Sequence, residues 1–307
     1  DVYKRQIENK GIEIALSTRP IQTRDFSWDI NLNFSKNSNK VKELDGESDM
    51  FELEKASWLD VQVAAKVGEN FGSIVGPDFQ RNEKGDILID PQTGLPQYDK
   101  SNHVLGNASW DWTGGLLTNF TYKNLSLVAV FDVKVGADLY SMSARAAYES
   151  GKSPETLAGR DAWYRSEEER LAAGIAKGAD NWKPTGGFVA PGVIDNGDGT
   201  YRPNDIYINP EDYWMSVCRN APSMFIYDNS YVKCRELTLS YNVPKSWLKN
   251  VVSGLTVSFV ARNPFIVWKN IPNIDPDSNY NNTTGMGLEY GSLPSRRSYG
   301  FNVNVKF

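Results

Sequence analysis

FSWDINLNF, residues 26–34, alternates between apolar and polar side chains along almost its whole length. The apolar residues stand at even positions, and Asp29, Asn31 and Asn33 stand between them. Successive side chains of a β-strand point to opposite faces, so this period of two predicts a strand with one apolar and one polar face.

Six other segments repeat the pattern and are predicted to be strands of the same kind. In chain order they are GIEIALST (11–18), WTGGLLTNFTY (112–122), LSLVAVFDVKV (125–135), YVKCRELTLSYNV (231–243), LTVSFVARN (255–263) and SYGFNVNVKF (298–307). Together the seven segments predict an all-β fold of about seven antiparallel strands.

The connections between these strands alternate strictly between short and long. The short ones cover residues 19–25, 123–124 and 244–254, and the long ones cover residues 36–109, 137–229 and 265–296. A soluble sandwich has no reason to sort its loops in this way, whereas an outer-membrane barrel has short periplasmic turns and long extracellular loops. The sequence therefore predicts a portion of a large transmembrane β-barrel, with Phe307 on the short-turn side.

Further strands are expected before Asp1, because seven is an odd number and too few strands to enclose a wide lumen. Residues 1–8 fit no strand pattern and are interpreted as the scar of a truncated chain, and no secretory signal is present. Residues 9–307 are interpreted as the C-terminal part of the barrel, without its earlier strands. The polar face of the strands predicts a lumen that is wet or filled by a plug.

Composition excludes several classes of partner and enzyme. The net charge is -5, with 33 basic and 38 acidic residues, so no nucleic-acid footprint is present. His103 is the single histidine, which excludes paired-histidine zinc sites and leaves one residue for any Ser-His-Asp triad. Cys218 and Cys234 have no zinc-like spacing, and DNGDGT (195–200) lacks the ligand order of a calcium loop and predicts a hairpin turn instead. No cofactor or metal is expected, and the chain is predicted not to be an enzyme.

Nearly the whole chain resembles the C-terminal barrel of the SusC/RagA family of TonB-linked (TonB-dependent) outer-membrane receptors of Bacteroidetes. The similar stretches are LAGRDAW (157–163), GTYRPND (199–205), IYDNSYVKCRELTLSYNVP (226–244), ARNPFIVW (261–268), IDPDSN (274–279) and GLEYGSLPSRRSYGFNVNVKF (287–307). Cys234 and Pro264 depart from the family pattern. These stretches are specific in combination, although each one alone is weak.

The resemblance implies active import of oligosaccharides or peptides across the bacterial outer membrane. It also implies a SusD-like surface lipoprotein as a lid, and the TonB complex as the energy source, contacted through an N-terminal region that this sequence does not contain. Outer-membrane lipid and the barrel-assembly machinery complete the expected partners. Two other functions stay open from the residues alone: a secreted β-rich carbohydrate-binding module or glycosidase, and a passive porin.

Three groups of residues are candidates for function. Aromatic residues of the long connections are candidate ligand contacts or anchors of loop packing: Trp58, Trp163, Trp182, Tyr213 and Trp214. Aromatic residues at strand ends are candidates for an interfacial girdle: Trp28, Trp112, Tyr241 and Trp247. Alternate residues of the last strand resemble a barrel-assembly signal: Tyr299, Phe301, Val303, Val305 and Phe307.

Overall fold

Eighteen β-strands and three α-helices form in the computed structural model, which describes residues 6–44, 48–55, 60–248, 252–279 and 283–307. The strands are β1 (Gln6–Gln22), β2 (Phe26–Glu43), β3 (Met50–Lys55), β4 (Gln62–Lys66), β5 (Phe71–Phe79), β6 (Tyr98–Asn107), β7 (Trp112–Tyr122), β8 (Leu125–Val135), β9 (Asp138–Ser141), β10 (Phe188–Val189), β11 (Val193–Asp195), β12 (Tyr201–Pro203), β13 (Tyr207–Ile208), β14 (Ile226–Asp228), β15 (Tyr231–Asn242), β16 (Gly254–Lys269), β17 (Leu288–Glu289) and β18 (Ser298–Lys306). The helices are α1 (Met142–Glu149), α2 (Arg160–Ala172) and α3 (Pro210–Asn220), and none of them is long and apolar enough to cross a membrane.

Seven long strands form one antiparallel sheet in the order β1-β2-β7-β8-β15-β16-β18. These are the seven predicted strands, and each pairs with its neighbours along the chain. The predicted all-β fold class is thereby confirmed. Two of the short connections are a bend at residues 23–25 and the Lys123-Asn124 turn, where Lys123 takes a positive φ of 53°.

Three strands are longer than their sequence patterns predicted. β1 begins at Gln6 instead of Gly11, β2 continues to Glu43, and β16 continues through Pro264 to Lys269. Residues 6–8, which we assigned to an N-terminal scar, therefore lie in the first strand, and residues 1–5 lie outside the described residues. The extensions are held by backbone pairing, as in Lys10 with Ser38, and do not alternate between apolar and polar residues.

The register aligns side chains of like polarity in two neighbouring rows that cross all seven strands. One such row, which we call the apolar row, contains Ile21, Trp28, Phe120, Leu127, Leu239, Phe259 and Phe301. The neighbouring row on the opposite face, the polar row, contains Gln22, Ser27, Thr121, Ser126, Ser240, Ser258 and Asn302. The two rows thus differ in polarity across the full width of the sheet.

The three long connections carry secondary structure of their own, of which only the hairpin turn at DNGDGT was predicted. They are loop A (residues 44–111), loop B (136–230) and loop C (270–297), and all leave the same end of the sheet. Loop A contains the sheet β3-β4-β5-β6, and loop B contains the helices. A three-stranded sheet, β14-β9-β17, joins loop B to loop C.

One hydrophobic core binds the three loops into what we call the loop body. Val63 and Ile74 of loop A, Tyr140 and Phe225 of loop B, and Leu288 of loop C are buried in the same cluster. This core forms only where the three loops pack together, because no single loop contains all of its side chains. Loops A and B share a second cluster around Tyr213 and Trp214.

Candidate functional site

The polar face of the sheet carries hydrogen-bonding groups over its full width. Ser240 and Ser258 face each other with their hydroxyl oxygens 2.8 Å apart, and Arg19 donates to Asp29 across β1 and β2 at 2.5 Å. Hydroxyl, amide and paired charged groups of this kind suit a surface that water or a polar solute touches. This face is a candidate wall of an aqueous passage.

On the apolar face, two polar groups pair with each other and the rings pack together. The indole nitrogen of Trp28 donates to the hydroxyl of Thr118 at 2.8 Å, and the Trp28 ring stacks on Phe120. Phe34 packs beside Trp112, and Phe259 packs beside Phe301. A surface that contacts lipid needs this internal pairing, since acyl chains offer no hydrogen bonds.

A buried charge network ties loop C to strand β15. The side chain of Lys233 is only 2% exposed, and its ammonium lies 2.5 Å from Asp277 and 3.3 Å from Asp275. Arg235 bridges Asp277 at 2.5 Å and Asp132 at 2.6 Å. Burial alone would raise the pKa of Asp277, but hydrogen bonds from Arg235, Lys233 and Tyr231 hold that pKa well below its usual range.

A second buried carboxylate joins loop C to loop B. Glu289 accepts hydrogen bonds from the Ser141 hydroxyl at 2.8 Å, and from the backbone N–H and hydroxyl of Ser143 at 3.0 and 2.7 Å. Ser141 is the N-cap of helix α1, so the carboxylate lies at the positive end of the helix dipole. Glu289 and the Lys233 network together hold loop C against the rest of the molecule.

No sequence pattern predicted a role for these residues. The available signal was the pair of basic residues in YVKCRELTL, because buried cations require carboxylates elsewhere in the chain. The partner stretch IDPDSN supplies those carboxylates.

A groove on the loop body contains two of the predicted aromatic residues, Trp163 and Trp214. Two adjoining cavities of about 270 and 630 Å³ share Trp163, Asn209 and Met215 in their walls, and we call them together the Trp163 groove. Helix α3 forms one wall. The helix begins here because Asn209 caps it, accepting a hydrogen bond from the Glu211 backbone N–H, and because Pro210 occupies its first turn. Carboxylates and further rings line the groove: Glu149, Tyr164, Tyr207, Glu211 and Asp212.

The other predicted ligand contacts have different surroundings. Tyr213 is 3% exposed and packs against Phe188, so it anchors the loop body. Trp214 also packs against Phe188 and is 8% exposed, and it borders the groove as well. Trp182 is half-buried in loop B outside this groove, and Trp58 lies outside the described residues. Ligand contact by Trp163 stays a prediction.

A serine, the single histidine and an aspartate lie together on strand β6 but do not form a catalytic triad. The Ser101 hydroxyl and an Asp99 carboxylate oxygen lie 3.1 and 3.0 Å from the same His103 nitrogen, Nε2. A triad histidine uses its two nitrogens separately, one for the nucleophile and one for the acid. Ser101 donates to Asp99 instead, and this bond and the Ser101 N–H lower the pKa of Asp99.

The described part of the chain contains no reactive cysteine site and no metal-binding site. Both cysteines are free and buried, and burial raises the pKa of the Cys218 thiol to about 12. The described residues contain no group of three or more His, Cys, Asp or Glu that could hold a metal ion. DNGDGT forms the predicted turn, between the paired strands β11 and β12.

The last strand presents its predicted assembly-signal residues on the apolar face. Phe301 is 80% exposed and Phe307 97% exposed, and Tyr299, Val303 and Val305 are also exposed. Of the predicted girdle residues, Trp112 ends the apolar face beside loop A and Trp247 is exposed in a short turn, at the opposite end of the sheet.

Comparison with known proteins finds receptors of one kind over nearly the whole chain. The chain is 23% identical to TonB-dependent receptor P3 of Formosa agariphila and 23% identical to TonB-dependent receptor SusC of Bacteroides thetaiotaomicron, in both cases over 98% of its length. It spans 29% and 26% of those proteins. No family profile matches the chain.

The fold is also found in solved structures. The RagAB peptide transporter matches with a TM-score of 0.62 and 16% identity, over 99% of this chain and 30% of that one. The RagAB peptide importer in its open-open state matches with a TM-score of 0.57 and 17% identity, over 99% of this chain and 29% of that one. These findings confirm the resemblance to TonB-dependent receptors of the SusC/RagA type and the predicted barrel-fragment fold. They also agree with the prediction that the chain is not an enzyme.

Proposed function

We propose that this chain is the C-terminal wall and extracellular loop body of an outer-membrane receptor that imports nutrients with energy from TonB. The observation that carries the proposal is the pair of opposite rows, one wholly apolar and one wholly polar, that cross all seven strands. Lipid on one side and an aqueous lumen on the other account for both rows. Residues 9–307 belong to this barrel wall and loop body, and strand β1 extends them to Gln6.

Each proposed partner would bind a different part of the receptor. A SusD-like lipoprotein would cover the loop body from outside the cell, where loops A, B and C meet. The TonB complex would act through the plug region that such receptors carry outside the span matched here. The barrel-assembly machinery would recognise the last strand, β18, together with Phe307, which follows it.

The substrate class is an oligosaccharide or a peptide. The Trp163 groove supports this because it combines aromatic rings with carboxylates and amides, a set that binds sugars by stacking and hydrogen bonding. The same set also binds peptides. Its total volume is in the range of small-molecule sites.

Growth and uptake by cells that lack the full-length gene test the proposal. We expect these cells to lose growth on one complex glycan or peptide source, and the full-length gene to restore it. In the complemented cells, we expect a protonophore to abolish uptake of that source. Uptake that survives the protonophore would favour a passive porin. Unchanged growth on every glycan and peptide source would contradict import.

Trp163→Ala in the full-length receptor tests the groove, with Trp247→Ala as a matched control at the opposite end of the molecule. We expect Trp163→Ala to weaken binding of the imported substrate about tenfold, because one stacked ring is removed. Trp247→Ala should leave binding unchanged. Equal affinities of the two variants would exclude the Trp163 groove as the binding site.

A further inference from the structure

A strip of lysines continues the outward face of strands β1 and β2 beyond its apolar part. The apolar face of β2 ends at Phe34, and the next outward positions include Lys36, Lys40 and Lys42. On β1, Lys10 lies beside Ser38 on the same face, because Ile12 pairs with Lys36 two residues away. All four lysines are exposed, and we call them the lysine strip.

The strip carries more positive charge than its own face neutralises. Glu8 is the carboxylate on this face, and it pairs with Lys10 and with Lys42, the latter at 2.9 Å. Within the described residues, Lys36 and Lys40 have no carboxylate at ion-pair distance. Glu13 and Glu43 belong to the opposite face, in line with Ser35 and Val41. Four lysines against one glutamate leave a net charge of about +3 at neutral pH.

The position of the strip is set by the aromatic residues beside it. Lys36 lies in register with Trp112, whose ring packs on Phe34 at the upper end of the apolar face. Ten residue steps separate Phe26 from Lys36, which is about 33 Å along the strand and about 25 Å across the membrane at a usual barrel tilt. That height equals the apolar band of an outer-membrane barrel, so Lys36 lies at the outer interface and Lys40 and Lys42 lie just above it.

We propose that the lysine strip binds the phosphate groups of anionic glycolipid in the outer leaflet. The proposal rests on the membrane location given under Proposed function. Lysine ammonium groups that face outward at headgroup height form charge-assisted hydrogen bonds with phosphate, while their methylene chains lie along the apolar surface below. Val41 faces the other way, toward the loop body, where its backbone bonds Glu69 and Gly68. The strip therefore faces lipid headgroups and not the lumen.

The test uses the full-length receptor in phosphatidylcholine nanodiscs that contain lipid A, with dephosphorylated lipid A as the matched probe. Lipid that remains bound after release from the disc is quantified by mass spectrometry. We expect the wild type to retain the phosphorylated form in preference, and this preference to fall as salt is added. Substitution K36Q/K40Q/K42Q should reduce it about tenfold or more.

Two further variants separate charge from folding. K84Q/K177Q/K183Q removes three exposed lysines of the loop body and should keep the preference. K36R/K40R/K42R keeps the charge and should keep the preference as well. A wild type in the disc without any phosphate preference, or a K36Q/K40Q/K42Q variant that retains it, would overturn the proposal. A receptor that does not enter the discs at all would contradict the proposed membrane location instead.

Discussion

Lys233 shows how a single buried charge organises the end of the barrel wall. A lysine that is 2% exposed is costly to bury without partners, and Asp275 and Asp277 provide them from a loop more than forty residues away in sequence. The network therefore fixes loop C onto strand β15. The basic pair in YVKCRELTL hinted at buried cations, but which carboxylates pair with them depends on the fold.

Asp277→Asn is expected to loosen loop C by about 3 kcal/mol, because it removes a carboxylate that Lys233 and Arg235 share. Hydrogen exchange of residues 270–279 in the full-length receptor measures the effect. Asp205→Asn, which breaks an exposed pair with Arg202, is the control and should cost less than about 1 kcal/mol. Equal protection of loop C in both variants would contradict a fixing role for the network.

The pH dependence of this attachment has a definite sign. The hydrogen bonds around Asp275 and Asp277 outweigh burial and leave both pKa values below the usual range. A group whose pKa falls on folding stabilises the folded state above its unfolded pKa, and this stability is lost as the pH drops through the folded pKa. We expect protection of residues 270–279 to be constant from neutral pH to about pH 4 and to fall only in stronger acid.

At the scale of the strand, the alternation of residues predicted the sheet because two solvents impose it. In residues 36–43 of β2 the apolar-polar pattern ends while backbone pairing continues. With the proposed membrane location, the end of the pattern marks the membrane boundary and not the end of the strand. The same reasoning explains why β1 begins before Gly11.

Ile30→Lys places a charge near the middle of the predicted lipid face, and Asn31→Lys places it on the opposite face one residue away. We expect Ile30→Lys to destabilise the membrane-inserted barrel by about 2–4 kcal/mol and Asn31→Lys to have little effect. The folded yield of the full-length protein in outer membranes measures both. Similar yields would contradict the assignment of the two faces.

Deletion of Phe307 tests the assembly role proposed for the last strand. The backbone carbonyl of Phe307 is held by the Ser253 hydroxyl at 3.1 Å, but its side chain is exposed and free to be recognised. We expect the deletion to reduce delivery to the outer membrane, and Phe307→Tyr to preserve it. Normal delivery after the deletion would remove the basis for the assembly signal.

At the scale of the whole molecule, the loop body was the part that the sequence could not predict. Its core joins Val63, Tyr140 and Leu288, which lie in three different loops, so no local period reveals it. The candidate groove could not be predicted from the sequence either. Trp163 and Tyr213 looked equivalent as loop aromatics, and only the tertiary structure shows that one lines a groove while the other is buried.

Leu288→Ala should loosen all three loops together, because the fully buried side chain contacts a core shared by loops A, B and C. We expect a loss of about 2–5 kcal/mol and faster proteolysis within each loop of the full-length receptor in outer membranes. Leu293→Ala removes an exposed leucine of the same loop and serves as the control. Faster cleavage of loop C alone would contradict a common core.

The solvent on each side of the sheet is the claim on which the whole account rests, and spin labels measure it directly. Single labels at Leu127 and Leu239 of the apolar row, and at Ser126 and Ser240 of the polar row, are placed in the cysteine-free, full-length receptor in lipid vesicles. We expect labels at 127 and 239 to collide with membrane-dissolved oxygen, and labels at 126 and 240 to collide with a water-soluble nickel chelate. Equal access of the nickel chelate to all four labels would contradict it.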